Sequence, residues 1–128
     1  MSGIPQKDLF GCSVACVAKA AGICYDEALL LFNNPDLAKN RGFSCKEIVS
    51  ALKKTDFKCF TVRVRSNRLN FKSKSIVFIE RNKVYPCGHF LIKIGIKWMD
   101  PWINYPKFPI MSGYRKNLPG RVIFLITK

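Results

Sequence analysis

The chain has 128 residues, of which 48% are hydrophobic and 23% are charged, a balance that excludes a disordered chain and fits one compact domain over residues 1–128. The longest apolar stretches, such as residues 90–96 and 122–126, are too short to span a bilayer, so we expect no transmembrane segment. Residues 1–10 contain no apolar run of signal-peptide length. This predicts a cytoplasmic protein, or one delivered by a secretion route that needs no signal peptide.

The net charge of +14 is distributed unevenly along the chain. Residues 1–60 contain eight Lys and Arg against six Asp and Glu, a net charge of +2, whereas residues 61–128 contain fourteen against two, a net charge of +12. Such asymmetry favours an acidic partner, whether a nucleic acid, an anionic membrane or an acidic protein. A solvated basic surface that keeps the protein in solution explains the same charge equally well.

The six cysteines allow two interpretations. A short secreted chain with this many cysteines usually has a disulfide framework. We expect no export signal, and several of the cysteines lie in apolar segments, where a free thiol packs as a small hydrophobic side chain. We therefore expect reduced thiols.

Helical patterns fill the first half of the chain, and they predict helices over residues 11–22, 26–32 and 44–54. The first is apolar on nearly every side, which predicts a central, buried helix that ends at Gly22. The second is interrupted by Pro35 and the two asparagines before it. The third begins at Ser44, which forms a capping-box pattern with Glu47.

From Phe57 onwards the pattern changes to the alternation typical of strands, and it predicts strands near residues 57–62, 75–80, 89–94, 97–100 and 121–126. Residues 101–119 contain four prolines and little pattern, which predicts a loop or an irregular arm. Helices followed by strands are typical of an α+β fold, with N-terminal helices packed on one antiparallel sheet.

Cys12 lies at the start of the first predicted helix. A thiol at this position faces unpaired backbone N–H groups and the positive end of the helix dipole, and both stabilise a thiolate. Such a thiolate is the nucleophile of many acyl-transfer enzymes. We expect Gly11 to let the backbone turn sharply and leave the sulfur open, and Cys16, one turn deeper, to pack in the core.

His89 is the only histidine in the chain, and it begins an apolar strand directly after Gly88. A single histidine is more often structural than catalytic. A cysteine nucleophile, however, needs a base, and an imidazole at the start of a strand is well placed to face a cleft. Together with Cys12, His89 is therefore predicted to be that base.

Asp100 is the candidate for a third group that orients the imidazole, and the hairpin between the two residues allows a geometric test. A two-residue turn at residues 94–95 sets Asp100 directly opposite His89, and one at 95–96 sets it opposite Leu91, one diagonal step from His89 on the same face. A three-residue loop puts the two side chains on opposite faces. We therefore predict a tight turn, which the glycine in both pairs favours. An aspartate before a proline is also a common turn residue.

Gln6 lies six residues before Cys12, on the segment that leads into the first helix. Attack on a carbonyl forms an oxyanion, which needs hydrogen-bond donors beyond the backbone N–H of Cys12. The side-chain amide of Gln6 is close enough along the chain to supply one.

These residues together resemble a known family. The Gln-x5-Cys motif that ends at Cys12, followed by an Ala-rich helix, resembles the opening of the C39 peptidases and their C39-like relatives. Gly88-His89-Phe90 and Asp100-Pro101 resemble that family's Gly-His-Phe and Asp-Pro segments, and the similarity extends over residues 4–102. The chain departs from the family at Gly11 and Ser13, where Asp and Gly are usual, and in a shorter spacing from His89 to Asp100.

The resemblance implies a papain-like fold and a cysteine peptidase that needs no metal or cofactor and acts on a peptide or protein substrate. It implies that Cys12 is the nucleophile, His89 the base, Asp100 the orienting residue and Gln6 the oxyanion donor. Many members of the family cleave leader peptides and are fused to exporters. This chain shows no membrane segment or ATPase, so that substrate and partnership are not carried over.

A zinc site is one alternative, since four residues of the kinds that bind zinc stand in two pairs, Cys12 with Cys16 and Cys87 with His89. Structural zinc sites usually use tighter pairs on turns, and Cys16 is predicted to be buried in a helix.

The other alternative is a papain-like toxin or effector domain that acts on a nucleic acid or is bound by an acidic inhibitor or immunity protein. Its candidate contacts form a basic run around Phe71, which consists of Arg63, Arg65, Arg68, Lys72 and Lys74. Basic side chains with an interleaved aromatic ring suit phosphate contacts and base stacking. An exposed hairpin loop with solvated charges has the same composition.

Overall fold

The computed structural model describes residues 2–65 and 71–128. The helices of this part of the chain are α1 (Cys12–Ala21), α2 (Tyr25–Leu29), a 3-10 helix (Pro35–Lys39) and α3 (Cys45–Lys53). The strands are β1 (Phe60–Arg63), β2 (Ile76–Ile79), β3 (His89–Ile94), β4 (Lys97–Asp100), β5 (Gly113–Arg115) and β6 (Val122–Thr127).

The six strands form one sheet in the order β1-β6-β2-β3-β4-β5, and each neighbouring pair is antiparallel. The predicted α+β class with one antiparallel sheet is thereby confirmed. The helices pack on one face of the sheet, where Phe90, Ile92 and Met99 join their core. The other face carries a smaller cluster that includes Leu91, Trp98 and Tyr85. Alternate residues of β3 therefore belong to different cores, as the period of a strand requires.

Helix α1 is the buried central helix that the sequence predicts. Gly11 is its N-cap, and Gly22 follows its last turn in the left-handed conformation, with φ of 72°, and donates its N–H to the carbonyl of Ala18. Its side chains are small, so the helix packs closely against its neighbours, and Val14, Ala15 and Val17 are fully buried. The first residue of this helix is Cys12.

Helix α3 is also as predicted. The Ser44 hydroxyl accepts the N–H of Glu47 at 3.2 Å, and the Glu47 carboxylate accepts the N–H of Ser44 at 2.8 Å, which completes the capping box. Helix α2 ends at Leu29, earlier than predicted, because Leu31 and Phe32 donate their N–H groups to carbonyls three residues back and so form turns.

The prediction of an irregular arm over residues 101–119 is wrong in one place. Residues Gly113–Arg115 form β5, which pairs with β4 at the edge of the sheet. These three residues show no apolar alternation, so their sequence does not indicate a strand. They form one because they pair with β4. β5 positions Arg115 beside Asp100, as described below.

The helices within the described residues are all too short or too polar to cross a membrane.

Candidate active site

The β3–β4 hairpin brings His89 and Asp100 together. Ile94 pairs with Lys97 and Ile92 with Met99, so the turn consists of Gly95 and its successor, and Gly95 has φ of 63°. The predicted two-residue turn is confirmed in its second form, with Asp100 one diagonal step from His89. The two side chains meet there, and His89 Nε2 lies 2.6 Å from Asp100 Oδ1.

Cys12 approaches the same imidazole from α1. Its thiol lies near enough to raise the pKa of the ring, and Cys12 and His89 line the same cavity. Since Asp100 holds Nε2, the nitrogen left for the thiol is Nδ1. His89 is 3% exposed and Asp100 is fully buried, so this chain of three groups runs from the cavity surface into the protein.

Burial acts to lower the pKa of His89, but the hydrogen bonds to Asp100 and Cys12 and the charges of these two groups outweigh it and raise the pKa to about 9. The imidazole is therefore protonated at neutral pH.

Asp100 is held by four donors. Its Oδ1 accepts from His89 and from the N–H of Trp102 at 3.0 Å, and its Oδ2 lies 2.7 Å from Arg115 Nε and 2.8 Å from the Tyr85 hydroxyl. Burial acts to raise the pKa of Asp100, but the hydrogen bond and charge of His89 and the hydrogen bonds of Arg115 and Trp102 lower it to about 2. The carboxylate thus stays charged and fixed in direction.

Tyr85 holds the imidazole in its plane. Its ring stacks on that of His89 with centroids 4.0 Å apart and an interplanar angle of 4°. Tyr85, Trp102 and Arg115 were not predicted from the sequence to belong to the site. Tyr85 is close to His89 along the chain, but Arg115 lies in a segment without pattern, and only the pairing of β4 with β5 brings it to Asp100.

Two glycines directly precede α1 and β3, and at each of them a neighbouring residue fills the space of a Cβ. Gly11 has φ of −96°, which any residue adopts, so the expected sharp turn is not what requires glycine there. A Cβ at this position would overlap the Tyr25 hydroxyl and lie 3.2 Å from the Asp8 carbonyl oxygen. Gly88 has φ of 77°, and a Cβ there would lie 2.9 Å from the Ile79 carbonyl oxygen.

Gln6 lies beside the same cavity as Cys12, and it is 3% exposed. Its side-chain Nε2 donates to the carbonyl oxygens of Asp8 at 2.9 Å and Leu9 at 3.1 Å. A primary amide has two N–H groups, so both are engaged within the protein. Gln6 Oε1 is buried and has no hydrogen-bond partner among the described residues.

Ser13 and Cys16 lie on α1 close to Cys12. Both are buried, but only Ser13 lines the cavity. Ser13 is 1% exposed and lines the cavity, and its hydroxyl has no partner among the described residues. Cys16 is fully buried, as predicted, and burial, followed by the charges of Cys12 and Asp100, raises the pKa of its thiol well above the usual value. Cys16 is therefore an inert packing thiol.

A cavity of about 460 Å³ opens onto these residues. Eight of its lining residues are aromatic, and they are Phe10, Phe43, Phe78, Tyr85, Phe90, Trp102, Tyr105 and Phe108. Leu9 and Phe108, which also line it, are 55% and 67% exposed. The space next to Cys12 is thus apolar and has exposed apolar side chains at its edge.

The described residues contain no group of three or more His, Cys, Asp and Glu side chains able to hold a metal ion. The alternative zinc site from Cys12, Cys16, Cys87 and His89 is therefore not assembled. All six cysteines are free thiols.

The basic run lies away from this site. Arg63, Arg65, Lys72 and Lys74 are exposed and none of the four lines the cavity, while Arg68 lies outside the described residues. Phe71 is half-buried, and its ring packs edge-on against Trp98 with centroids 5.3 Å apart, so one side of it is already covered.

Comparison with known protein families, curated proteins and solved structures finds no match to the chain.

Proposed function

We propose that the chain is a papain-like cysteine hydrolase in which Cys12 attacks a peptide or isopeptide carbonyl and His89 acts as its base. The observation that carries this proposal is the arrangement of three residues at one site, where His89 and Asp100 are buried and in contact and Cys12 lines the same cavity as His89. Each residue type suits its role, since a thiolate attacks, an imidazole moves the proton and a carboxylate orients the ring. The order of the motifs along the chain, which resembles that of C39 peptidases, supports the same fold and chemistry.

In the proposed acylation step, the Cys12 sulfur forms a bond to the carbonyl carbon, and the carbonyl oxygen takes the negative charge. The His89 imidazolium then donates its Nδ1 proton to the leaving amine as the C–N bond breaks, which leaves a thioester on Cys12. The first-turn N–H groups of α1 have no helical partner and are free to stabilise the oxyanion.

In deacylation, His89 acts as a base instead of an acid. The neutral imidazole of His89 removes a proton from water, and the resulting hydroxide attacks the thioester carbonyl. Collapse of the second oxyanion releases the acid and the Cys12 thiolate, with the proton again on His89. Asp100 stays ionised throughout, because its four donors hold it in that form.

The wall of the cavity supports a preference in the substrate. A space of about 460 Å³ whose wall includes eight aromatic side chains suits a large apolar side chain better than a charged one. Arg41 lines the same cavity, but its guanidinium lies 2.6 Å from the Glu47 carboxylate, which already pairs its charge. We propose a substrate with a bulky apolar group next to the scissile bond.

The test is an acyl-enzyme trap. We expect p-nitrophenyl acetate to release a burst of p-nitrophenolate and to leave an acetyl group on Cys12, which mass spectrometry of tryptic peptides locates. Cys12→Ala should remove the burst, whereas Cys24→Ala, which removes an exposed cysteine outside the cavity, should keep it. A burst that survives in Cys12→Ala contradicts the proposal.

A second proposal concerns the partner, and the exposed first strand favours it. β1 lies at the edge of the sheet, all four of its residues are exposed, and Arg63 and Arg65 stand at its end. An edge strand offers free backbone groups to a further strand, and basic side chains favour an acidic one. We propose that an acidic inhibitor binds here if the chain is a delivered effector.

The affinity of the chain for an acidic peptide tests this proposal. The affinity should fall as the salt concentration rises, and binding that does not depend on salt contradicts the proposal.

A further inference from the structure

The carboxylate of Asp100 lies between two side chains that carry positive charge. Its Oδ1 lies 2.6 Å from His89 Nε2, and its Oδ2 lies 2.7 Å from Arg115 Nε. The orienting role of Asp100 in the proposed reaction needs the first contact only. The second contact adds a permanent positive charge to the site, since an arginine stays protonated in proteins.

The position of Arg115 in the sheet brings it to this carboxylate. Its backbone pairs with Trp98, so it stands one diagonal step from Asp100 on the same face, whereas Gly113, which pairs with Asp100 directly, has no side chain. Arg115 Nη2 also donates to the Tyr85 hydroxyl at 3.3 Å. Arg115 is not part of the cavity wall, so an effect on the proposed reaction has to pass through Asp100.

The titratable and charged groups around the His89 ring come from five parts of the fold. They are Cys12 and Cys16 of α1, Arg41 of the cavity wall, Tyr85 and Cys87 before β3, Asp100 of β4 and Arg115 of β5. Burial raises the pKa of Cys16 and of Tyr85, so both stay neutral near pH 7. Glu47 pairs the charge of Arg41 at 2.6 Å. The fixed cation that remains among these groups is Arg115, which contacts the carboxylate beside the ring.

A cation on one oxygen of a carboxylate weakens the hold of that carboxylate on a second cation. The two cations repel each other, and a buried site screens this repulsion less than water does. Although burial lowers the pKa of His89, its contacts with Asp100 and Cys12 raise it to about 9. Without the guanidinium, the ring would hold its proton still more tightly. The proposed deacylation needs the opposite, because it begins with a neutral imidazole.

We infer that Arg115 is a positioning residue that shares the Asp100 carboxylate with His89 and thereby eases release of the His89 proton. The inference rests on the proposed function, since it concerns the base of the acyl transfer at Cys12. In the acyl-enzyme Cys12 has no charge. Loss of the His89 proton then leaves Asp100 and Arg115 as a neutral pair, whereas without Arg115 it would leave a lone buried carboxylate, which is costly.

The test is the pH dependence of deacylation. Cys12 is acetylated with p-nitrophenyl acetate, the reagent is removed, and loss of the acetyl group is followed by mass spectrometry of the peptide that contains Cys12. The rate should rise with pH as His89 loses its proton, and the midpoint of the rise reports the pKa of the ring in the acyl-enzyme. His89→Ala supplies the background rate of hydrolysis by solvent.

We expect Arg115→Met to move this midpoint up by about one pH unit, at the lower end of the effect of a nearby charge. Below the midpoint, deacylation should then be about tenfold slower at a given pH. Arg115→Gln keeps N–H donors without the charge, so it should move the midpoint equally, and it replaces the methionine variant if that variant does not fold. Arg115→Lys keeps the charge and should hold the midpoint within about 0.3 pH unit of the unaltered protein.

Arg121→Met is the matched control. Arg121 is exposed and lies outside the cavity wall, so the same loss of charge occurs where solvent screens it, and the midpoint should not move. A merely structural role of Arg115 would lower the plateau rate of deacylation or the melting temperature of its variants without moving the midpoint.

Two outcomes overturn the inference alone. One is a midpoint in Arg115→Met and Arg115→Gln that stays in place or moves to lower pH. The other is a midpoint in Arg115→Lys that moves as far as in these two variants, which would show that the charge is not the cause. A third outcome overturns the proposed function and the inference with it, namely that Cys12 of the unaltered protein takes up no acetyl group or loses it no faster than in His89→Ala.

Discussion

The two ends of β3 differ in the burial and pairing of the polar side chains beside them. At the start of β3, the buried side chain of His89 contacts the fully buried carboxylate of Asp100, and every oxygen of that carboxylate is paired. At the other end, the N–H of Lys74 donates to the carbonyl of Lys93 at 2.6 Å, and the Lys72 and Lys74 side chains extend into solvent. We call these the site end and the basic end.

This difference predicts which substitutions affect folding and the chemistry at Cys12. Charges at the site end are desolvated and fixed by several partners, so loss of one partner leaves the others unpaired in a medium of low dielectric. Charges at the basic end are hydrated and screened, so each contributes little to folding or to chemistry at Cys12. This contrast predicts large effects of substitutions at the site end and small effects at the basic end.

Replacement of the base should have the largest effect. His89→Ala removes the base of the proposed mechanism, and general acid–base catalysis contributes about 100-fold to 10,000-fold. We expect p-nitrophenyl ester turnover to fall by that order. The control at the basic end is Lys74→Ala, for which turnover should stay within about twofold, since a screened surface charge has little influence at the site. Equal losses in the two variants would remove the contrast between the ends.

Loss of the buried carboxylate should mainly affect stability. Asp100→Ala leaves His89 Nε2 and Arg115 Nε without their acceptor, and breaking a buried pair costs about 3–5 kcal/mol of unfolding free energy. Asp26→Ala is the matched control, because its carboxylate pairs with Lys7 at 3.1 Å on the surface and should cost below about 1 kcal/mol. Urea unfolding measures both, and similar costs would mean that Asp100 is not buried as described.

The pH dependence of stability should reveal the raised pKa of His89. Folding stabilises the protonated ring, so its contribution is complete below the usual pKa of 6.5 and is lost as the pH rises through about 9. We therefore expect the unfolding free energy of the unaltered protein to fall across this range more steeply than that of His89→Gln. Parallel curves of unfolding free energy against pH for the two proteins would contradict the raised pKa of His89.

The lowered pKa of Asp100 acts in the opposite sense. Its contribution to the unfolding free energy is lost only as the pH falls towards about 2.

The smallest effect should come from the basic end, and it should appear in binding only. Arg63→Ser with Arg65→Ser removes two exposed cations, so the slope of log affinity for a nucleic acid against log salt should fall by about 2 if both contact phosphates. Ester turnover should not change. An unchanged slope would show that these two residues make no phosphate contacts.

The sequence was sufficient to predict the local parts of this structure. The Ser44–Glu47 capping box, the end of α1 at Gly22 and the tight turn of the β3–β4 hairpin each depend on a few neighbouring residues, and all three are confirmed. The proximity of His89 and Asp100 follows from that turn and from the period of a strand.

The parts that escaped prediction depend on contacts between distant segments. Arg115 reaches Asp100 only because β5 pairs with β4, and a three-residue strand has no periodic signal. The need for Gly11 comes from Tyr25, fourteen residues later, whose hydroxyl fills the space of a Cβ. The engagement of the Gln6 amide by two backbone carbonyls likewise depends on the path of residues 8–9, which spacing alone does not give.

The most direct test of the central claim is the alkylation rate of each cysteine, measured by mass spectrometry after timed exposure to iodoacetamide at mildly acidic pH. A thiolate held by the His89 imidazolium should make Cys12 react far faster than the other five cysteines, including the exposed Cys24 and Cys87. His89→Ala should abolish that preference. Equal rates at Cys12, Cys24 and Cys87, or an unchanged preference in His89→Ala, would contradict the account.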